Sequence, residues 1–149
     1  MGVILDTSAV IGLHEVESSR VRLRTVLVSE DDGAAINVHA VSLGELGEGV
    51  YRAISTWGLD SGIATARATT LALAQSLECV TIQPPDTAIF GQVSAWLGRR
   101  VSHNDKWIVT AAIRNGWTLI TQDSDLAERV ANTDEHAPVP GQCYIATRE

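Results

Sequence analysis

Short apolar runs alternate with helix-forming segments along the chain, and this alternation is the strongest constraint on its fold. The apolar runs are typical of strands buried on both faces, and the segments between them have helical spacing or helix-forming composition. The predicted strands cover residues 2–5, 34–38, 79–82, 118–121 and 142–146. The predicted helices cover residues 9–14, 19–28, 41–54, 62–77, 86–100, 103–115 and 124–130. This order predicts a three-layer α/β/α domain with a parallel five-stranded sheet.

Length and composition restrict the class of protein further. A chain of 149 residues has room for one domain, so we expect residues 1–149 to form a single unit. The net charge of −7 argues against coating duplex nucleic acid by charge alone, which normally requires a basic domain. No apolar run approaches the roughly 18 residues of a membrane helix, and two cysteines make no disulfide framework. We expect a soluble cytoplasmic protein that does not associate with membranes.

Four carboxylates fall near the predicted carboxyl edge of the sheet. Asp6 follows the first strand, Asp123 follows the fourth, Asp105 opens the helix before that strand, and Glu45 lies one turn into the helix after the second. Ligands of parallel α/β sheets bind at this edge. Clustered carboxylates repel one another unless a cation neutralises them, and oxygen ligands of this kind suit Mg²⁺ or Mn²⁺. The pattern indicates metal-assisted phosphodiester hydrolysis.

Helix capping is an alternative explanation for three of these residues. Asp6 and Asp123 occupy positions where N-caps belong, and Ser102 with Asp105 matches a capping box. Helix caps in an α/β sheet gather at the same edge as ligand sites. Proximity of these residues therefore fits both interpretations.

Glu45 caps nothing, but its helix leaves two questions open. Glu48 lies three residues later on nearly the same face and is an alternative ligand. Gly44, Gly47 and Gly49 interrupt the helix and indicate a close approach of another backbone.

Four segments, in order, resemble the motifs of PIN-domain ribonucleases. These are Val-Ile-Leu-Asp-Thr-Ser-Ala at 3–9, Ser-Leu-Gly-Glu-Leu-Gly-Glu-Gly at 42–49, Asp-Lys-Trp-Ile-Val-Thr-Ala-Ala at 105–112 and Leu-Ile-Thr-Gln-Asp-Ser-Asp at 119–125. Each motif is short, and the ordered set of four is the specific signal. The size and single-domain organisation look most like the VapC toxins of bacterial toxin–antitoxin modules.

The resemblance implies a fold, an activity and a set of partners. It implies the strand order 3-2-1-4-5, Mg²⁺- or Mn²⁺-dependent endoribonuclease activity and neutralisation by a VapB-type antitoxin; we also expect a homodimer. Carried onto this chain, the metal ligands would be Asp6, Glu45, Asp105 and Asp123, with Asp125 as an auxiliary acid and Thr7 or Thr121 as an orienting hydroxyl. That strand order would place Cys79 and Cys143 on opposite edges, too far apart to bridge.

Basic residues near the third motif are candidates for RNA binding. Members of the family usually carry a small residue after the third acid, and this chain has Lys106 there. We expect Lys106 to reach solvent and contact an RNA phosphate. Pairing with a carboxylate is the alternative. Arg99 and Arg100 are candidates for a rim that guides RNA, or simply a solvated helix end.

Two further alternatives concern partners and activity. The helix around Glu45 and the helix predicted over 62–77 are expected to form an apolar groove for an antitoxin helix, unless these faces pack within the core. The rival to the nuclease is a degenerate PIN-like module that binds RNA or protein without cutting.

Overall fold

A single parallel sheet organises the molecule. The computed structural model describes residues 2–15, 35–131 and 143–145. The strands are β1 (Gly2–Leu5), β2 (Ala35–His39), β3 (Glu78–Val80), β4 (Thr118–Thr121) and β5 (Cys143–Ile145). Their order is β3-β2-β1-β4-β5, and each neighbouring pair is parallel. The predicted fold class and strand order are confirmed.

Six helices in the described part of the chain connect these strands. They are α1 (Thr7–Glu15), α2 (Ala40–Trp57), α3 (Gly62–Gln75), α4 (Asp86–Leu97), α5 (His103–Asn115) and α6 (Ser124–Ala131). Local signals set the ends of α5: Ser102 Oγ accepts a hydrogen bond from the backbone N of Asp105 at 3.1 Å, and Gly116 closes the helix with φ 66°. The helix predicted over 19–28 lies outside the described residues.

Alternation along β1 divides the core into two layers. Val3 and Leu5 pack into a buried cluster with residues of α1, α2 and α3, such as Val10. Ile4 points to the other face and packs with residues of α4, α5 and α6, such as Ile108. Because successive strand side chains point to opposite faces, one apolar run supplies both cores. The predicted three-layer arrangement is therefore correct.

The edge strands keep the two cysteines apart. Cys79 lies on β3 and Cys143 on β5, four strand intervals away. At about 4.8 Å per interval the strands are separated by roughly 19 Å, well beyond the reach of a disulfide. In the described ranges, no helix combines the length and apolarity needed to cross a bilayer.

The glycines of α2 do not mark a close backbone approach, so that expectation is wrong. A Cβ placed on Gly44 or Gly47 would meet nothing within 4 Å, and one on Gly49 would meet only Arg67 Cδ at 3.9 Å. Instead, Arg67 Nη1 donates a hydrogen bond to the carbonyl oxygen of Gly49 at 2.9 Å. The space around Gly44 and Gly47 is open rather than packed.

Candidate active site

Asp6 follows β1 directly, and both of its carboxylate oxygens are engaged. Oδ1 accepts hydrogen bonds from Ala9 N at 2.8 Å and from Ser8 Oγ at 2.7 Å, which caps α1. Oδ2 accepts a hydrogen bond from the hydroxyl of Thr121, at the end of neighbouring β4. The side chain is only 2% exposed, and this burial raises its pKa from 3.8 to about 6, against the opposing effect of these hydrogen bonds.

Glu45 approaches from α2 and is oriented by two other elements. Its Oε1 accepts a hydrogen bond from Thr7 Oγ1 at 3.1 Å, and Thr7 Oγ1 also lies 3.0 Å from Ser42 Oγ. Burial raises the pKa of Glu45, and the negative charge of Asp105 raises it further. The side chain of Asn104, at the start of α5, lies near Glu45 and lowers its pKa.

The choice between the two glutamates of α2 is decided by their surroundings. The Glu48 side chain is 58% exposed and forms an ion pair with Arg52, one turn along the same helix. Glu45 is half-buried and faces Thr7 and Asp105. The geometry favours Glu45 as the residue that belongs to the site.

Asp105 is the electrostatic centre of the carboxylates. Burial raises its pKa, the nearby charge of Asp123 raises it further, and a hydrogen bond to Ser102 lowers it. The charge of Asp105 in turn raises the pKa of Asp6 and of Glu45. All four carboxylates therefore interact through Asp105, and we refer to Asp6, Glu45, Asp105 and Asp123 as the acidic cluster.

Asp123 is exposed and also caps a helix. Its Oδ1 accepts hydrogen bonds from Asp125 N at 3.0 Å and Leu126 N at 3.2 Å, at the start of α6. Its own backbone N donates to Thr121 Oγ1 at 3.0 Å. The capping interpretation is thus correct for Asp6 and Asp123, and these caps still lie beside the other members of the acidic cluster.

Two cavities open beside these residues. The first, of about 250 Å³, is lined by residues that include the acidic Asp105, Asp123 and Asp125 and the basic Arg100 and Arg129. The second, of about 280 Å³, opens beside Glu45. Its lining also includes Thr7, Ile11, Leu46 and Arg67. The acidic cluster thus borders one strongly polar cavity and one mixed cavity.

The donor set of the acidic cluster fits a hard divalent cation. Three of its carboxylates have raised pKa values because burial and mutual repulsion disfavour their charges, and a cation relieves both effects. Within ranges 2–15, 35–131 and 143–145, however, no three histidine, cysteine or acidic side chains are already close enough to hold an ion between them. Binding would require the carboxylates to draw inward.

A PIN domain family model matches residues 3–132 of the chain. The chain belongs to the PIN domain family. No curated protein sequence matches it.

Solved structures with this fold include toxin–antitoxin proteins. Similar chains come from VapBC2 of Rickettsia felis bound to promoter DNA (19% identity, TM-score 0.69, covering 97% of this chain and 98% of that one) and from VapBC-5 of Mycobacterium tuberculosis (22% identity, TM-score 0.68, 97% and 98%). VapC20 of Mycobacterium tuberculosis, described as a Sarcin-Ricin loop cleaving toxin, is 15% identical with TM-score 0.58, covering 90% of this chain and 98% of that one. At these identities the likeness shows a shared fold.

Lys106 does not reach solvent in this PIN domain, so that expectation is wrong. The residue is 4% exposed, and its Nζ donates a hydrogen bond to Ser94 Oγ of α4 at 3.1 Å. Successive residues of a helix differ by about 100° in direction, so the residue after Asp105 faces α4 rather than the cavities. Its assignment to RNA binding loses its basis.

The two consecutive arginines differ in position. Both are exposed, but Arg100 lines the 250 Å³ cavity, whereas Arg99 is not among the residues of either cavity beside the acidic cluster. The arginine residues at 20, 22 and 24 lie outside the described part of the PIN domain.

Sequence reasoning missed four residues that contact or border the site of this PIN domain. These are Ser8, which donates a hydrogen bond to Asp6; Ser42, beside Thr7; Asn104, near Glu45; and Arg129, which lines the cavity with Asp125. The first three lie within three residues of an acid in the PIN-like motifs, and this closeness in sequence is a signal that could have found them. Arg129 lies four residues after Asp125, on the same face of a short helix.

Proposed function

We propose that this PIN domain is a Mg²⁺- or Mn²⁺-dependent endoribonuclease that hydrolyses phosphodiester bonds in single-stranded or loop RNA. The observation that carries the proposal is the convergence of four carboxylates on Asp105 at the carboxyl edge of the sheet. Unpaired RNA is the favoured substrate because its bases and backbone are more accessible than those of a duplex. The ordered set of PIN motifs supports the same activity.

Asp6, Glu45, Asp105 and Asp123 would hold the cation. A bound divalent cation lowers the pKa of a water molecule and neutralises developing charge on a phosphodiester. The hydroxyl of Thr121 keeps Oδ2 of Asp6 in one orientation. The hydroxyl of Thr7 holds Oε1 of Glu45 in the same way. Both carboxylates therefore have little freedom to rotate away from the position in which they would bind the cation.

Asp125 and Arg100 extend the site toward the substrate. Asp125 borders the cavity beside Asp123 and, as an auxiliary acidic residue, is suited to accept a hydrogen bond from a water molecule there. Arg100 offers a guanidinium to an RNA phosphate at the same cavity. A positive group at the site compensates locally for the net charge of −7.

We further propose that the protein is the toxin of a type II module and that a VapB-type antitoxin covers an apolar groove between α2 and α3. The groove has a volume of about 400 Å³, and its lining includes Val50, Ile54, Leu59 and Ala68. Leu59 is 71% exposed, and Trp57 beside it is 63% exposed. The exposed rim of the groove is therefore not core, and exposed apolar patches of this kind mark interaction surfaces. Homodimerisation and a cytoplasmic location remain part of the same proposal.

The antitoxin interface is tested by recovering the protein with its bound partner from its own host. A captured protein that abolishes RNA cleavage by the free chain supports the interface, provided that Leu59→Asp prevents both capture and inhibition. Inhibition that survives Leu59→Asp and Ile54→Asp would place the partner elsewhere.

The nuclease proposal is tested by cleavage of an end-labelled mixed RNA pool by the purified, partner-free protein in Mn²⁺, in Mg²⁺ and in EDTA. We expect cleavage that requires metal and is lost in Asp6→Asn and in Asp105→Asn while both variants stay folded. The matched control is Asp60→Asn, because Asp60 lies exposed in the turn between α2 and α3. Full activity in either cluster variant would reject the assignment.

The alternative function is a PIN-like module that binds RNA or protein without cutting it. The observation that favours it is that no three ligand side chains in the described ranges are preassembled for a metal. A true metal site stabilises the protein as the cation concentration exceeds its Kd, so the melting temperature separates the two functions. A Tm that stays flat with Mn²⁺ supports the binding module.

A further inference from the structure

Two arginines line the polar cavity beside the acidic cluster, and they come from different elements. Arg100 lies in the turn between α4 and α5, and Arg129 lies on α6. Both share the cavity of about 250 Å³ with Asp105, Asp123 and Asp125. The cavity lining thus combines acidic residues with arginines from separate parts of the fold.

Neither arginine is paired with a carboxylate of the described residues. Among the residues that the structure describes, the ion pairs join Arg52 to Glu48 and Arg114 to Asp86, and neither Arg100 nor Arg129 takes part in one. Among the described residues, therefore, no carboxylate occupies the donors of either guanidinium.

A purely helical role does not account for Arg129. It lies four residues after Asp125 and in the last turn of α6, where an ion pair or the helix dipole can stabilise the helix. The ion pair does not form, although both side chains border the same cavity. Arg100 lies outside any helix, so stabilisation of a helix dipole does not explain its position at the cavity.

We propose that Arg100 and Arg129 together bind one phosphate group of the RNA next to the acidic cluster. A guanidinium matches two phosphate oxygens with parallel N–H donors, which a lysine ammonium does not. The phosphate adds negative charge beside three carboxylates, and two guanidinium groups offset that charge. This inference rests on the proposed nuclease function, and it assigns Arg129 a substrate-binding role that the sequence alone did not indicate.

The proposal is tested first without catalysis, on the full chain in Mg²⁺, by NMR titration with adenosine 5′-monophosphate and with adenosine. We expect the wild type to prefer the monophosphate by about tenfold or more, as charge-assisted hydrogen bonds predict. Arg100→Gln and Arg129→Gln should each reduce this preference, and the double variant should abolish it. Arg99→Gln is the matched control: it removes the same charge one residue away, outside the cavity, and should retain the preference.

Three results would overturn the phosphate site. They are no preference in the wild type, an unchanged preference in the double variant, or an equal loss in Arg99→Gln. If Arg129→Gln lowers Tm but leaves the preference for the monophosphate unchanged, Arg129 stabilises the helix and does not bind phosphate. Arg129→Lys provides a second check, because it keeps the charge and should recover only part of the preference.

Cleavage kinetics then separate this inference from the nuclease proposal. If the wild type cuts RNA, Arg100→Gln and Arg129→Gln should raise KM more than they lower kcat and leave the Mn²⁺ dependence unchanged. If both arginines hold one phosphate, the double variant should lower the salt dependence of single-stranded RNA binding by about 0.7 in log–log slope. A wild type that prefers the monophosphate but cuts no RNA would overturn the nuclease and keep the phosphate site.

Discussion

Thr121, the last residue of β4, donates a hydrogen bond to Oδ2 of Asp6, the residue that follows β1. The two strands are neighbours at the centre of the sheet, and Asp6 N also donates to the carbonyl oxygen of Ile120 at 3.1 Å. Thr121 Oγ1 accepts a hydrogen bond from Asp123 N at 3.0 Å. One hydroxyl therefore links two members of the acidic cluster.

Removing this hydroxyl should weaken cation binding without removing a carboxylate. We expect Thr121→Val to raise the Mn²⁺ concentration needed for half of the thermal shift by about 10-fold or more, because supporting groups commonly contribute that much to metal affinity. The measurement is Tm against Mn²⁺ concentration. Thr87→Val, which removes an exposed hydroxyl at the start of α4, is the control. An unchanged midpoint in Thr121→Val would mean that the hydroxyl does not orient Asp6 for a metal.

Metal-free stability should depend on pH through Asp6. Burial raises the pKa of Asp6 from 3.8 to about 6, so the folded state binds more protons than the unfolded state between these values. This contribution to stability is present below pH 4 and is lost as pH rises through 6. The loss amounts to about 3 kcal/mol by pH 7, since one pKa unit corresponds to about 1.4 kcal/mol.

The comparison with Asp6→Asn isolates this effect from other titrating groups. In EDTA we expect the variant to be more stable than the wild type at pH 7, and the difference to shrink toward pH 4. Urea unfolding of both proteins at several pH values measures it. A difference that stays constant across this range would contradict the raised pKa.

The two glutamates of α2 should differ sharply in their effect on catalysis. If the protein is the proposed nuclease, Glu45→Gln should reduce RNA cleavage by at least about 100-fold, because it removes a charge from the acidic cluster. Glu48→Gln breaks only an exposed ion pair with Arg52, which is worth about 0.5 kcal/mol, so its activity should change less than twofold. Single-turnover cleavage rates provide the test. The reverse order would make Glu48 the ligand.

Lys106→Met should leave RNA binding intact. Lys106 is buried and its Nζ donates to Ser94 rather than to the cavities, so no phosphate contact is lost. Exchange of a buried ammonium for an apolar chain of similar length is often neutral or stabilising, and we expect Tm to hold or rise. RNA affinity from fluorescence anisotropy is the measurement. A tenfold weaker binding by a folded variant would restore Lys106 as a phosphate ligand.

Most of the architecture could be predicted from local patterns in the chain. Apolar runs and capping signals are local properties, so strand β4 is found at its predicted bounds and the limits of α5 follow from Ser102 and Gly116. Strand β1 also keeps its predicted bounds, whereas β2, β3 and β5 shift by one or two residues at their ends, because hydrogen bonding to neighbours decides where pairing stops. The strand order came from family resemblance rather than from periodicity.

The sequence by itself determined which residue types stand at the carboxyl edge of the sheet, because that edge follows from where each strand ends. Only the tertiary structure decided which side chains face one another there. Glu45 and Glu48 share a helix, yet packing of α2 against α1 and α5 turns one toward Thr7 and Asp105 and leaves the other in solvent. Packing of α5 against α4 buried Lys106, and the positions of the α4–α5 turn and α6 brought Arg100 and Arg129 to one cavity. Burial, charge coupling and convergence depend on contacts between residues distant in the chain, which no local pattern contains.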